Sequence, residues 1–287
     1  MRALLILPLI SLSLAALTAC KPDPPPLNNI PDEVDPPIDT VDTVIVQPDG
    51  ENPIAVCEVN KNPVQPPFET ARFDGSASYD PNDLEIIGYE WALTMAPDGN
   101  GAALGANTGP TTSITPQLAG TYVVELNVIN ELGLRSEEPC VIALEATPDE
   151  DLWVEMFWSH SGEDMDLHML RPGGSPRTGT DCYFANCKSG LDWGTTGEDA
   201  DDPILDLDDI PGVGPENINV SDPEPGEFTV FVHDYQFTGV RPEPTDVTVN
   251  IYLGGEQVFS ETRRITGENT DEYFARVNPT TGIVSPM

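Results

Sequence analysis

The side chains with the most chemistry in reach are acidic and fall in two short stretches. "EDMDLHML", Glu163 to Leu170, carries aspartates two positions apart. "DLDDIPGVGPE", Asp206 to Glu216, sets three aspartates in four positions and brings a glutamate round a Pro/Gly-rich turn. On an extended strand alternate residues share a face, so Asp164, Asp166 and His168 stand on one side while Met165, Leu167 and Met169 pack on the other. Asp206 and Asp208 repeat that spacing, with Asp209 adjacent. Neighbouring carboxylates repel unless a cation or water screens them. If the two stretches meet in space, Asp164, Asp166, Asp206, Asp208, Asp209 and Glu216 form a donor set suited to calcium, which takes about six to eight oxygens. The competing reading is a group of solvated or hydrogen-bonded turn carboxylates. The EF-hand spacing is absent.

Other chemistry has less support. His160, His168 and His233 show no His-Glu-x-x-His spacing, and Ser159-His160-Ser161 is adjacency in sequence, not catalytic geometry. Trp193, in the polar stretch "SGLDWGTTG", either stacks on a ligand such as a sugar or plugs the end of a sandwich. A non-catalytic protein is expected.

The elements that must position these residues are strands. "TYVVELNVI", Thr121 to Ile129, alternates with Tyr122, Val124, Leu126 and Val128 on one face, and "EIIGYEWALT" places Ile87, Tyr89 and Trp91 together. From Asp151 onward come "LWVEMFW", "MDLHML", "EFTVFVHDY", "DVTVNIYLG", "EQVFSET" and "DEYFARV", interrupted by a Gly/Asp/Pro-rich insertion from Arg171 to Gly214. No helical stripe competes. The expected fold is all-β, two β-sandwiches in series, the second with a long loop insertion.

Two resemblances sharpen this. "FDGSASYDPNDLEIIGYEW", Phe73 to Trp91, and "GTYVVELNVINELG", Gly120 to Gly133, resemble PKD (polycystic kidney disease) domains, with Asn82-Asp83-Leu84 replacing the glycine usual after Asp80-Pro81. The resemblance implies an immunoglobulin-like sandwich over 53–146. "EDMDLHMLRPGG", "GVGPENINV" and "PGEFTVFVHDY" are similar to the YfaP-like bacterial domains, over 150–287. That likeness implies a β-sandwich of exported envelope proteins and no particular activity.

The N-terminus bears on location. Arg2 and the apolar run Leu4 to Leu14 precede Leu17-Thr18-Ala19-Cys20, which resembles the lipobox of bacterial lipoproteins. The resemblance implies a signal peptide over 1–19, acylation of Cys20 as the link to membrane lipid, and, with Lys21 following, the outer membrane, in either orientation. Setting Cys20 aside leaves Cys57 and Cys140 in one expected sandwich and Cys182 and Cys187 in the other, read as two disulfides in an oxidising compartment. A zinc site on the Cys182/Cys187 pair lacks a second ligand pair. The stretch 20–52 is rich in proline and acid and contains no aromatic residue, the composition of a disordered stalk.

Lys and Arg total 12 against 49 acidic residues, a formal net charge of −37, which disfavours nucleic acid as a partner. The expected function is a surface or periplasmic lipoprotein presenting binding or adhesion modules, calcium-stabilised, with a polysaccharide or envelope protein as partner. The alternatives are a metal-dependent hydrolase of envelope or extracellular polymers and a structural spacer in an envelope complex.

Overall fold

Alternation of apolar residues at period two runs through both halves of the chain, and every named strand pair is antiparallel. The structure, a computed structural model, describes residues 50–188, 190–210, 212–236 and 244–287. The signal segment, Cys20 and nearly all of the expected stalk lie outside the described residues.

The first sandwich uses β1 (Glu58–Val59), β2 (Ala71–Asp74), β3 (Ile86–Met95), β4 (Thr111–Ile114), β5 (Gly120–Asn130) and β6 (Cys140–Ala146). One sheet has the order β1-β2-β4 and the other β3-β5-β6. Phe73 and Ile114 from the first sheet meet Trp91, Tyr122, Val124, Leu126, Val128 and Leu144 from the second in one core. The Tyr122 hydroxyl lies 2.9 Å from the Leu118 carbonyl, tying the start of β5 to the preceding turn. Cys57 and Cys140 are joined, with Cα atoms 5.9 Å apart, closing the sandwich between its first and last strands. Ile87 does not share the inward face with Trp91 as its spacing suggests. The β3–β5 register shifts between Ile86 and Gly88, and the extra residue turns Ile87 out to solvent.

The second sandwich uses β7 (Leu152–Trp158), β8 (Asp164–Leu170), β9 (Asp181–Cys182), β10 (Ile204–Leu207), β11 (Glu216–Val220), β12 (Phe228–Tyr235), β13 (Thr245–Leu253), β14 (Glu256–Ile265), β15 (Thr270–Asn278) and β16 (Ile283–Pro286). Its sheets run β10-β11-β7-β13-β14 and β16-β15-β12-β8-β9. Leu152, Val154 and Met156 from one sheet face Met165, Leu167, Met169, Val230 and Val232 from the other. The insertion contains structure of its own: β9, β10, a short 3-10 turn (Asp199–Asp201) and the Cys182–Cys187 disulfide.

The sandwiches belong to one compact unit, Pro48–Met287. The side of β7 that faces away from its own core is itself buried, and there Trp153 packs with Tyr252 and with Ala119 of the first sandwich. Glu155 sits beside them, 1% exposed. Its carboxylate accepts from the Ala119 N–H at 3.0 Å, Trp153 Nε1 at 3.2 Å, Asn250 Nδ2 at 3.1 Å and the Tyr252 hydroxyl at 3.0 Å. Gly99 makes the close approach possible. It holds φ of +77°, and a Cβ there would lie 2.2 Å from the Phe157 ring.

Candidate metal centre

β9 pairs only with Met169 and Leu170, so among the described residues the first part of β8 has no neighbouring strand on that edge. Glu216, at the start of β11 in the opposite sheet, shares its face with the core residues Ile218 and Val220. From there it reaches across the gap, and its Oε2 accepts from the buried N–H of Leu167 at 2.8 Å. Asp166 stands on the outward face of β8, beside this edge, and Asp208 arrives from the loop after β10. Carboxylate oxygens of Asp166, Asp208 and Glu216 lie within 4.8 Å of one another.

The three are not ordinary surface carboxylates. Asp166 is 2% exposed and Glu216 is fully buried. Among the described residues, Asp166 Oδ2, Asp208 Oδ1 and Glu216 Oε1 are buried with no hydrogen-bond partner, as is Asp164 Oδ1 two residues along the strand. Among the described residues Lys188 supplies one cation, its ammonium meeting Asp208 Oδ2. Burial, reinforced by Asp164 and Asp208 and opposed by Arg177, pushes the Asp166 carboxyl up to about 8. Burial, then Asp208 and Asp209, push Asp164 up to about 6. Burial also drives Glu216 well above the usual carboxylate range, against the pull of the Leu167 N–H and with the push of Asp166 and Asp208. Unpaired carboxylates in so little water cost several kcal/mol each unless protonated or met by a cation. The donors are all oxygen, which suits a hard cation. Donors about 2.3–2.6 Å from one calcium stand at most about 5 Å apart, so the spacing of these three fits a shared ion.

Three further residues lie elsewhere than their place in the sequence suggests. Asp206 does not join the cluster. The β10–β11 register shifts between Leu205 and Leu207, which breaks the simple alternation between Asp206 and Asp208. Asp206 Oδ2 accepts from Asn217 and Asn219, on the opposite face of β11 from Glu216. Asp209 shapes the turn: its Oδ2 accepts from the Gly214 N–H at 2.9 Å. The carboxylate also folds over Gly212, where a Cβ would lie 1.6 Å from it. Trp193 presents no ligand platform, being 1% exposed, packed in the core against Phe228, and bonded through Nε1 to the Gly179 carbonyl at 3.0 Å. A large apolar ring with a satisfied N–H gains more from closing the sandwich end than from solvent.

Two further arrangements arise only in the folded chain. His168 is buried between the rings of Tyr183 and Phe231, and its Nδ1 lies 2.8 Å from Asp181 Oδ2, which fastens the insertion onto β8. Asp234 follows Phe228, Val230 and Val232 on the core-facing side of β12 and is itself buried. An aspartate ending an apolar alternation was the available signal.

No protein-family model matches the chain. Among solved structures, it is similar to the PKD domain from the protein KIAA 1837, at 30% identity and a TM-score of 0.25, over 31% of this chain and 83% of that one. It is also similar to domains 4–9 of the surface-layer protein SbsC, at 9% identity and a TM-score of 0.24 over 74% of this chain. A third is an endo-fucoidan hydrolase of glycoside hydrolase family 107, at 15% identity and a TM-score of 0.25 over 76% of this chain. The chain spans 31% of the surface-layer structure and 29% of the hydrolase structure.

Proposed function

We propose that this protein is a non-catalytic, calcium-stabilised β-sandwich module of the cell envelope, which presents its folded part to a polymer or protein partner. The observation that carries the calcium reading is the convergence of Asp166, Asp208 and Glu216 with one unpartnered buried oxygen on each. Those three would hold the ion, with Asp164 at its margin. The ion would add positive charge beyond the single ammonium that Lys188 brings to Asp208. Glu216 meanwhile ties β11 to the β8 edge, so the same carboxylate links fold and centre.

An envelope location is supported by the lipobox-like segment ending at Cys20 and by two disulfides, which persist in oxidising compartments. A presenting role is supported by the joint at Glu155, which fixes one sandwich on the other.

The test is calcium titration by calorimetry on the full chain, with melting curves in calcium and in chelator. Saturable binding and a higher melting temperature in calcium are expected, because a ligand of the folded state stabilises it by linkage. Asp166→Asn/Asp208→Asn is expected to remove the binding event that belongs to this centre. Unchanged binding in that variant overturns the assignment of these ligands.

A further inference from the structure

We infer that the mouth of the second sandwich holds a further hard-cation site, formed by Glu163, Asp234 and Glu268. The three reach it from separate elements. Glu163 lies in the turn before β8, Asp234 near the end of β12, and Glu268 in the turn between β14 and β15. Their carboxylate oxygens lie within 4.8 Å of one another, the separation that one calcium-sized ion spans. His160 Nδ1 stands 3.8 Å from Glu163 Oε1 at the rim.

The second observation is Asp234 itself. It is 3% exposed, its Oδ1 is buried with no hydrogen-bond partner among the described residues, and its carboxylate faces the other two. It occupies the inward position that Val230 and Val232 fill earlier on the strand, one residue before the strand ends at the exposed Tyr235. An apolar residue there would extend the core at no electrostatic cost, so a carboxylate demands a reason. A cation supplies one by joining three elements at the end of the sandwich. The backbone is already drawn together there, with the Asn269 N–H donating to the Asp234 carbonyl at 2.8 Å. This site shares no ligand with the first centre. Asp234 pairs across the sheet with Met165, whose side chain is in the core, whereas Asp166 stands on the outward face.

Calcium titration by calorimetry on the full chain separates the two sites. The expected result is two binding events in the wild type, one of which survives Asp166→Asn/Asp208→Asn and disappears when Glu268→Gln is added. Asp234→Asn is expected to remove the same event. Glu268 is half-exposed in a turn, so Glu268→Gln tests the site without risking the core. An event that survives the Asp166/Asp208 substitutions but not Glu268→Gln supports the mouth site whatever becomes of the first centre. Binding that is lost entirely in the Asp166/Asp208 variant, or that is unchanged by both Glu268→Gln and Asp234→Asn, overturns the mouth site and leaves the first standing. A wild type that binds no calcium overturns both.

Discussion

At the residue scale, the proposed calcium ion would compete with protons for the same oxygens. Asp166 is raised to about 8 and Asp164 to about 6, both chiefly by burial. Their ordinary values are near 3.8, so between there and the raised values the folded state binds more protons than the unfolded one. Stability in chelator is therefore full at the acid end and lost as pH rises through the folded values. Melting temperature in chelator is expected to fall from about pH 4 to about pH 8, while calcium flattens the curve by replacing the lost protons. Coincident curves with and without calcium across that range would rule the competition out. The crowding of carboxylates was legible in the paired aspartates. Which oxygens lacked partners was not, because that depends on Lys188, Asn217 and Asn219 arriving from elsewhere in the fold.

At the element scale, the long insertion does structural work. Strands β9 and β10, the Cys182–Cys187 link and the His168–Asp181 contact bind it to the sheets, and Trp193 completes the core from within it. Trp193→Ala removes a fully packed indole and is expected to cost about 3–5 kcal/mol of stability, read by denaturant unfolding. Its loss is not expected to change the number of calcium ions bound. A variant of unaltered stability would show that the ring is not a core element after all. Composition marked this stretch as loop, since glycine, proline and aspartate dominate it. Short strands such as β9 carry too few residues to show a period.

At the scale of the whole molecule, the central feature is the joint between the sandwiches. Four donors from both sides converge on the Glu155 carboxylate, and Glu150 accepts from Gln65 Nε2 at 2.7 Å nearby. Burial raises Glu155 above the ordinary range while the donors pull it back. Glu155→Ala strands the donors in a dry interface and is expected to cost about 3–5 kcal/mol. The expected signature is separate melting of the two sandwiches, with a larger radius of gyration by solution scattering. A single transition at the original temperature would show that the joint is not held through this carboxylate. The sequence carried a trace of this contact in "LWVEMFW", where both faces of the strand are apolar or aromatic apart from one glutamate. An outward face of that kind needs a second surface to cover it.

The sequence by itself determined the all-β class, the alternation that turns Met165, Leu167 and Met169 inward, the turn that carries Glu216, and the pairing of four cysteines into two groups. Each rests on local chemistry: period-two burial, Gly and Pro geometry, and spacing along the chain. Tertiary structure alone decided which carboxylates meet. Asp206 was parted from Asp208 by a register shift. Glu216 was sent across the gap left by a short edge strand, and Trp193 was taken from the surface into the core. Asp234 was set against Glu163 and Glu268, far away in the chain. Strand order and register are properties of pairs of segments, and no single segment encodes them.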